Sequence, residues 1–176
     1  MKYTAIDLFS GGGGLSEGMR QAGFDVVGAI EINPSAVSTY HANHPETTIF
    51  PTDICDIQIE QIIDLLHGRP LDLLAGCPPC QGFSSVRCLN GQTVRDKRNK
   101  LILEYLRFVE GLHPNTIMME NVSGITKYYL FKKVVKSLKF LGYNISFKVI
   151  NVKDYGVPQR RKRMVFDQRF RVRVPK

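Results

Sequence analysis

The sequence has no apolar run that reaches the roughly 18 residues of a membrane-spanning helix. Its N-terminus, MKYTAIDLF, also lacks the apolar segment and small-residue cleavage site of a secretion signal. Both absences argue against a membrane or secreted protein. We therefore expect an intracellular chain without membrane contact, cytoplasmic in a prokaryote or nuclear in a eukaryote.

Cysteine and histidine are too few and too scattered to predict a disulfide framework or a metal site. Only Cys77 and Cys80 form a CxxC pair, and structural zinc usually needs a second pair, which the isolated Cys55 and Cys88 do not form. We therefore predict no metal ligands. The histidines are interpreted as surface or packing residues: His41, His44, His67 and His113.

Internal repeats, low-complexity tracts and linkers are also missing from the sequence. The composition, 43% hydrophobic and 23% charged, is typical of an ordinary globular protein. The 176 residues predict one domain, 1–176, which is long enough to bury a core. The chain is short for an enzyme that must also bind a large substrate.

Acidic residues are scarce in the second half of the chain. Residues 1–84 carry three Lys/Arg against ten Asp/Glu, whereas residues 85–176 carry 21 against six. The net charge of +8 and the pI near 9.4 therefore come from the second half. A basic region of this kind indicates a polyanionic partner, most simply nucleic acid, although a solvated basic face has the same composition.

Short β-rich runs alternate with helical patterns along the chain. This alternation predicts an α/β fold, with a mostly parallel sheet and helices on both faces. Asn33 followed by Pro34 is typical of a helix start. The strands predicted at 71–75 and 115–119 are almost wholly apolar, so we expect both of their faces to be covered.

Four glycines follow the first predicted strand, in the run Ser10–Leu15. Glycines at a strand-to-helix turn let a ligand approach the backbone at the positive end of the helix. The dinucleotide pattern GxGxxG fails, because its third glycine would fall on Ser16 or Glu17. The sequence therefore indicates a ligand without a diphosphate.

Two acidic residues extend this predicted ligand site. Glu31 ends the second predicted strand, where it could accept hydrogen bonds from ribose hydroxyls. Asp53 follows the short run TTIFPT and could reach an adenine amino group. S-adenosylmethionine is a ligand of this kind, while surface acids without a ligand are the alternative.

The run GCPPCQGFS places Cys80 behind two prolines at the carboxyl end of a predicted central strand. Open α/β sheets bind their ligands at that edge, and neighbouring arginines would raise the thiolate fraction of a cysteine. We interpret Cys80 as a nucleophile. A redox pair with Cys77 and a small buried residue are the alternatives.

Two further groups complete the predicted chemistry. Glu120 ends the next predicted strand, where partial burial would let its carboxyl hold a proton near neutral pH and give it to a substrate nitrogen. The basic run Gln159–Arg163 follows Gly156-Val157-Pro158. Taken alone, it indicates a phosphate-contacting or solvated surface.

In this order, the motifs DLFSGGGGLSEGMRQAGF, GCPPCQGFS, ENV and GVPQRRKR resemble those of the cytosine-5 DNA methyltransferase family. With Glu31 and Asp53 at their positions, the resemblance covers residues 3–166. It implies a Rossmann-like fold that depends on S-adenosylmethionine.

The resemblance also implies a role for each matched residue. Cys80 would add to C6 of a cytosine flipped out of double-stranded DNA, and Glu120 would protonate or hydrogen-bond N3. Arg161 and Arg163 would orient the base. Residues 82–98 match a mobile segment that closes over the base. The implied cofactor set is Phe9, Ser10, Gly11, Gly13, Gly14, Leu15, Glu31, Ile32, Asp53, Ile54, Pro79 and Leu101.

The resemblance ends after the basic motif. Family members continue into a target-recognition region and a motif with an asparagine, and no asparagine follows Asn151. We therefore expect an incomplete catalytic domain. Three explanations are open. The chain is one part of a split enzyme that has a complementary chain, or it is a truncated product, or it is an inactive remnant that binds DNA or cofactor. Alone, it should bind S-adenosylmethionine weakly and methylate DNA slowly or not at all.

Two other functions remain as alternatives. A tRNA cytosine-5 methyltransferase would use a similar scaffold. The chain could also be a nicotinamide-dependent enzyme, but the broken GxGxxG pattern argues against that function.

Overall fold

The computed structural model describes residues 2–79 and 100–169. In these ranges the strands are β1 (Tyr3–Leu8), β2 (Phe24–Ile30), β3 (Thr48–Phe50), β4 (Leu73–Gly76), β5 (Thr116–Val122), β6 (Ser146–Asn151) and β7 (Lys162–Arg169). The α-helices are α1 (Gly14–Gln21), α2 (Pro34–Asn43), α3 (Ile59–Leu66), α4 (Leu101–Leu112) and α5 (Tyr129–Phe140).

The described strands form one sheet in the order β3-β2-β1-β4-β5-β7-β6. Pairing is parallel from β3 to β5, while β7 lies antiparallel between β5 and β6. The predicted α/β fold with a mostly parallel sheet is confirmed. The insertion of β7 between its two neighbours was not predicted, because a sheet order depends on long-range pairing that local patterns do not record.

Helices cover both faces of the sheet. Side chains alternate along each strand, so Ile6 and Leu8 point to one face and Ala5 to the other. The first face packs against α3, α4 and α5 in the larger core. The second packs against Met19 of α1 in a smaller cluster. Each fully buried large aliphatic or aromatic side chain contributes about 1.5–3 kcal/mol to folding.

Helix α4 packs its apolar residues against the larger core. Tyr105 and Phe108 are fully buried, whereas Leu101 and Leu112 are half-buried and pack against the same core. The expectation that β5 is covered on both faces is wrong in the described part of the chain. Ile117 and Met119 are buried there, but Met118 on the opposite face is only half-buried.

The helix start predicted at Asn33 is also confirmed, because its side chain accepts hydrogen bonds from the Ser35 and Ala36 amides. No described helix is long and apolar enough to cross a membrane. The expected mobile segment, residues 82–98, lies outside the described residues.

Candidate active site

The parallel strands β1 to β5 all end at one edge of the sheet. Because β7 runs antiparallel to β5, it begins at that same edge, where Arg163 pairs in register with Val122. Four sequence-predicted groups therefore reach one edge: the glycine turn, Glu31, the Pro78-Pro79 segment and the Glu120 region. This is the edge where open α/β sheets bind their ligands.

The glycine turn between β1 and α1 has a left-handed backbone at several positions. Phe9 has φ 60° although it carries a side chain, and Gly11 and Gly13 have φ 55° and 93°. A positive φ is uncommon outside glycine and clusters at functional sites. Behind the turn, the N–H groups of Gly14 and Leu15 open α1 and have no acceptor among the described residues.

Glu31 is tied to this turn by its carboxylate. One oxygen accepts from the Gly11 N–H at 2.8 Å, and the other accepts from the Asn33 N–H at 2.8 Å. Each oxygen has a second lone pair, so the carboxylate can still accept from a ligand hydroxyl. The pairing brings the ends of β1 and β2 together around the predicted ribose position.

A series of buried, hydrogen-bonded polar side chains lies beside the same turn, on its core side. Asp7 is 1% exposed and accepts from the Ser16 hydroxyl at 2.7 Å, and this hydroxyl lies 2.7 Å from the Tyr40 hydroxyl. Burial raises the pKa of Asp7 to about 7, although the Ser16 hydrogen bonds oppose the shift. One Asp7 oxygen and the Ser10 hydroxyl are buried without a partner in the described ranges.

The other predicted cofactor residues are spread along the edge. Asp53 is half-buried and caps a 3₁₀ turn by accepting from the Cys55 N–H at 2.9 Å. The Ile54 side chain packs in the core, whereas Ile32 is exposed. Pro79 and Leu101 are half-buried, on either side of the residues that the structure does not describe. No hydrogen bond joins Asp53 to Glu31 among these groups.

Glu120 and Arg163 form an ion pair at the same edge. The guanidinium Nε lies 2.8 Å from a carboxylate oxygen, and the side chains are 28% and 18% exposed. The pair forms because Glu120 and Arg163 are diagonal neighbours on one face of the β5–β7 ladder. Arg161, by contrast, is exposed, and its backbone N–H donates to Asn151 Oδ1 at 3.1 Å.

Cys77 and Asn121 shape the segment that leads to the predicted nucleophile. Burial and the nearby Glu120 and Asp7 carboxylates raise the pKa of the Cys77 thiol far above its usual range. That thiol is therefore protonated at neutral pH and is a poor nucleophile. The Asn121 amide donates to the Pro78 carbonyl at 2.8 Å. Cys80 itself lies outside the described residues.

Sequence reasoning missed the side chains that support the turn, namely Asp7, Ser16, Tyr40 and His44. It treated His44 as a surface or packing residue, and the structure finds it buried and in hydrogen-bond contact with Gly13. The four-residue spacing of Tyr40, in α2, and His44, which follows the last residue of α2, was the available signal. Within residues 2–79 and 100–169, no three His, Cys, Asp or Glu side chains are grouped to hold a metal ion.

A family model of C-5 cytosine-specific DNA methylases matches residues 3–167. The chain belongs to this family. The resemblance expected from the motifs is therefore confirmed. The match ends close to the last described residue of β7, so it includes the glycine turn, the Glu120 region and the basic run.

Individual relatives agree with the family match. The type II methyltransferase M1.HphI of Haemophilus parahaemolyticus is 37% identical over 169 residues, which are 94% of this chain and 45% of that protein. M.AquIA of Picosynechococcus is 36% identical over 93% of this chain and 71% of its own length.

A solved structure gives the same fold. It is described as a DNA modification methyltransferase encoded within an E. coli prophage, and it superposes with a TM-score of 0.82 at 35% identity. The alignment covers 96% of this chain and 47% of that one. The Rossmann-like methyltransferase fold is thereby confirmed. The chain spans about half the length of M1.HphI and of this structure.

Proposed function

We propose that this chain is the catalytic and cofactor-binding part of a DNA cytosine-5 methyltransferase. It would transfer a methyl group from S-adenosylmethionine to C5 of a cytosine flipped out of double-stranded DNA. The observation that carries the proposal is the Glu120–Arg163 pair at the same sheet edge as the glycine turn. Membership of the C-5 methylase family supports it.

The residues of the glycine turn fit an adenosyl amino-acid cofactor. The unpartnered Asp7 oxygen and Ser10 hydroxyl provide buried acceptors beside the turn. The free Gly14 and Leu15 N–H groups suit an anionic group at the start of α1. These residues, with Phe9, Gly11 and Gly13, would hold the methionine part.

The remaining cofactor residues would hold the nucleoside. Glu31 would bind the ribose and Asp53 the adenine amino group, while Ile32, Ile54, Pro79 and Leu101 would line the same region. When bound, S-adenosylmethionine would supply an electrophilic methyl group.

The chain's own residues would make the cytosine reactive. The Cys80 thiolate would bond to C6, and the C5–C6 double bond would shift its electrons towards C5. Glu120 would give a proton or hydrogen bond to N3, and Arg163 would hold the Glu120 carboxyl in place. Arg161 would contact the base or its phosphate. After C5 is methylated, its proton would pass to solvent and the N3 proton would return to Glu120, while expulsion of the Cys80 thiolate would restore the C5–C6 double bond.

The proposed partners are double-stranded DNA and a complementary chain that carries the target-recognition region. The basic half of the sequence supports the first partner. The type II methyltransferases among its relatives support a place in a restriction–modification system. Because this chain matches only part of most of these proteins, the residues that select the target sequence would lie in the complementary region.

The decisive experiment is covalent capture of a duplex that contains 5-fluorocytosine. Fluorine at C5 is not released as a proton is, so the adduct with Cys80 persists. The chain is incubated with this duplex and labelled S-adenosylmethionine, with and without a candidate complementary chain. We expect a labelled adduct at Cys80 that disappears in Cys80→Ala, whereas Cys55→Ala, a variant of an exposed cysteine, retains it.

Two outcomes would change the proposal. Capture of a 5-fluorocytosine tRNA in place of DNA would reassign the substrate to RNA. DNA binding that is retained by Cys80→Ala, with no adduct under any condition, would show an inactive binding module and refute the proposed reaction.

A further inference from the structure

His44, next to the end of α2, packs directly against the glycine turn. Its side chain is 3% exposed, and its ring centroid lies 4.8 Å from that of Tyr40. Nε2 lies 3.1 Å from the Gly13 carbonyl oxygen, and Nδ1 lies 3.1 Å from a guanidinium nitrogen of Arg20. The imidazole therefore bridges the turn and α1.

These two contacts fix the tautomer of the His44 ring. A guanidinium group only donates hydrogen bonds, so Nδ1 must accept from Arg20. A carbonyl oxygen only accepts, so Nε2 carries the proton and donates to Gly13. Arg20 is held in turn by Glu46, at 2.6 Å. The neutral ring thus has one orientation, with its single N–H directed at the turn.

The Gly13 carbonyl that His44 contacts is the one that starts α1. It also accepts the first helical hydrogen bond, from the Glu17 N–H at 2.9 Å. Because the peptide group is planar and trans, fixing the Gly13 carbonyl also fixes the Gly14 N–H, which points the opposite way. His44 therefore sets the direction of the Gly14 N–H at the start of α1.

The fit between His44 and Gly13 is close enough to exclude any side chain at position 13. A Cβ there would lie 2.5 Å from two ring atoms of His44, and the φ of 93° is itself strained for other residues. Gly13 is thus required both by the backbone and by the ring beneath it. Such direct contact predicts strong energetic coupling between the two positions.

We propose that His44 is a positioning residue of the cofactor site. By clamping the Gly13 carbonyl, it holds the Gly14 N–H in the direction that receives an anionic group of the cofactor. This inference rests on the proposed function, because it assumes that the glycine turn binds S-adenosylmethionine.

The test is calorimetric titration of the chain with S-adenosylmethionine. His44→Ala should weaken binding about 10-fold, the effect of losing one buried hydrogen bond that orients the turn. His44→Gln should recover most of the affinity, since its amide offers one acceptor and a donor at similar spacing. His41→Ala, at an exposed position near the end of α2, should bind like the wild type.

Two further variants separate positioning from a general loss of stability. Val134→Ala opens a cavity beneath α5 in the larger core and should lower the melting temperature without weakening cofactor binding. Gly13→Ala should reduce affinity by a smaller factor in the His44→Ala background than in the wild type, because the ring that the new Cβ meets is gone.

The possible results separate a failure of this inference from a failure of the proposed methyltransferase function. If the wild type binds the cofactor and His44→Ala binds equally well, the inference is overturned and the proposed function stands. The inference is also overturned if His44→Ala binds the cofactor more weakly and His44→Gln does not recover the affinity, because packing alone would then explain the loss. If the wild type binds no cofactor, the proposed cofactor site fails and the inference fails with it.

Discussion

The two halves of the sheet hold their site residues by different means. In the cofactor half, which comprises β3, β2, β1 and their helices, carboxylates bind backbone N–H groups and hydroxyls, as Glu31 does with Gly11 and Asp7 with Ser16. In the base half, which comprises β5, β7, β6 and α5, Glu120 is bound by a guanidinium group. The site carboxylates of the first half therefore contact backbone N–H groups and hydroxyls, whereas the site carboxylate of the second half contacts a cation.

The charges of the sequence follow this division. Residues 1–84, which include the cofactor half, have ten Asp/Glu against three Lys/Arg, whereas the base half, residues 116–169, has 12 Lys/Arg against three Asp/Glu. A binding site built from backbone N–H groups needs few cationic side chains, because those N–H groups and the start of a helix supply the positive potential. A half that would contact a polyanion, as proposed for this one, needs many. We expect variants of the charged site residues in the base half to change the reaction, and variants of the carboxylates in the cofactor half to change binding or folding.

The largest effect is expected in the base half. Glu120→Gln removes the group that would protonate N3, and it should slow covalent capture of 5-fluorocytosine DNA by about 100- to 10,000-fold. Cofactor affinity should stay at the wild-type value. Glu110→Gln, an exposed acid on α4, is the control. An equal loss of cofactor affinity in Glu120→Gln would show that the two halves do not work separately.

The next effect concerns the stability of the cofactor half. Because the folded pKa of Asp7 is raised from 3.8 to about 7, the stability linked to this group is fully present below 3.8 and is lost as pH rises through about 7. At roughly 1.4 kcal/mol per pKa unit, the loss approaches about 4 kcal/mol. Urea unfolding across this range should show it in the wild type but not in Asp7→Asn.

The control for Asp7 is Asp25→Asn, at a half-exposed ion pair with Arg69. Its stability should follow the wild-type pH dependence, since surface pairs contribute about 1 kcal/mol or less. If Asp7→Asn kept the full pH dependence, another buried group would have to account for it.

A smaller effect is expected where the base half meets the Pro78-Pro79 segment. Asn121→Ala leaves the buried Pro78 carbonyl without its donor and should lower the free energy of unfolding by about 1–3 kcal/mol. Capture by Cys80 should also slow, because the segment before it loses its tie to β5. Asn144→Ala, at an exposed site, should change neither quantity.

The smallest effect is expected at Glu31, the proposed ribose position of the cofactor half. Glu31→Gln keeps the shape of the side chain but loses the charge that two backbone N–H groups contact, so cofactor affinity should fall about 10-fold. Capture at saturating cofactor should remain near the wild-type rate. A lower rate with unchanged affinity would place Glu31 in the reaction instead. Glu60→Gln, an exposed acid on α3, is the control.

Much of the cofactor half could be predicted because its signals are local. The glycine turn, the helix start at Asn33 and the acid at the end of β2 each depend on residues close in the chain, and each is found as expected. Tyr40 and His44 were not given a role. The sequence does not distinguish a tyrosine or histidine that only packs in the core from one that holds a functional turn in place. Their contacts with Ser16 and Gly13 decide the difference.

The base half was predicted less completely. Glu120 and the basic run were found from their motifs, but neither β7 nor the pairing of Glu120 with Arg163 followed from local pattern. That pairing depends on a register between antiparallel strands that are separated by α5 and β6. The half-buried face of β5 was also mistaken for a covered one, because apolar composition does not say which helix packs where.

The sequence by itself determined the alternation of strands and helices, the family of the chain and the segregation of its charge, because each is recorded in neighbouring residues and their spacing. The tertiary structure alone decided which side chains meet. His44 reaches Gly13 across 31 residues, and Asn121 reaches Pro78 across 43. Contacts of this range depend on strand order and register, which arise only when the whole sheet assembles.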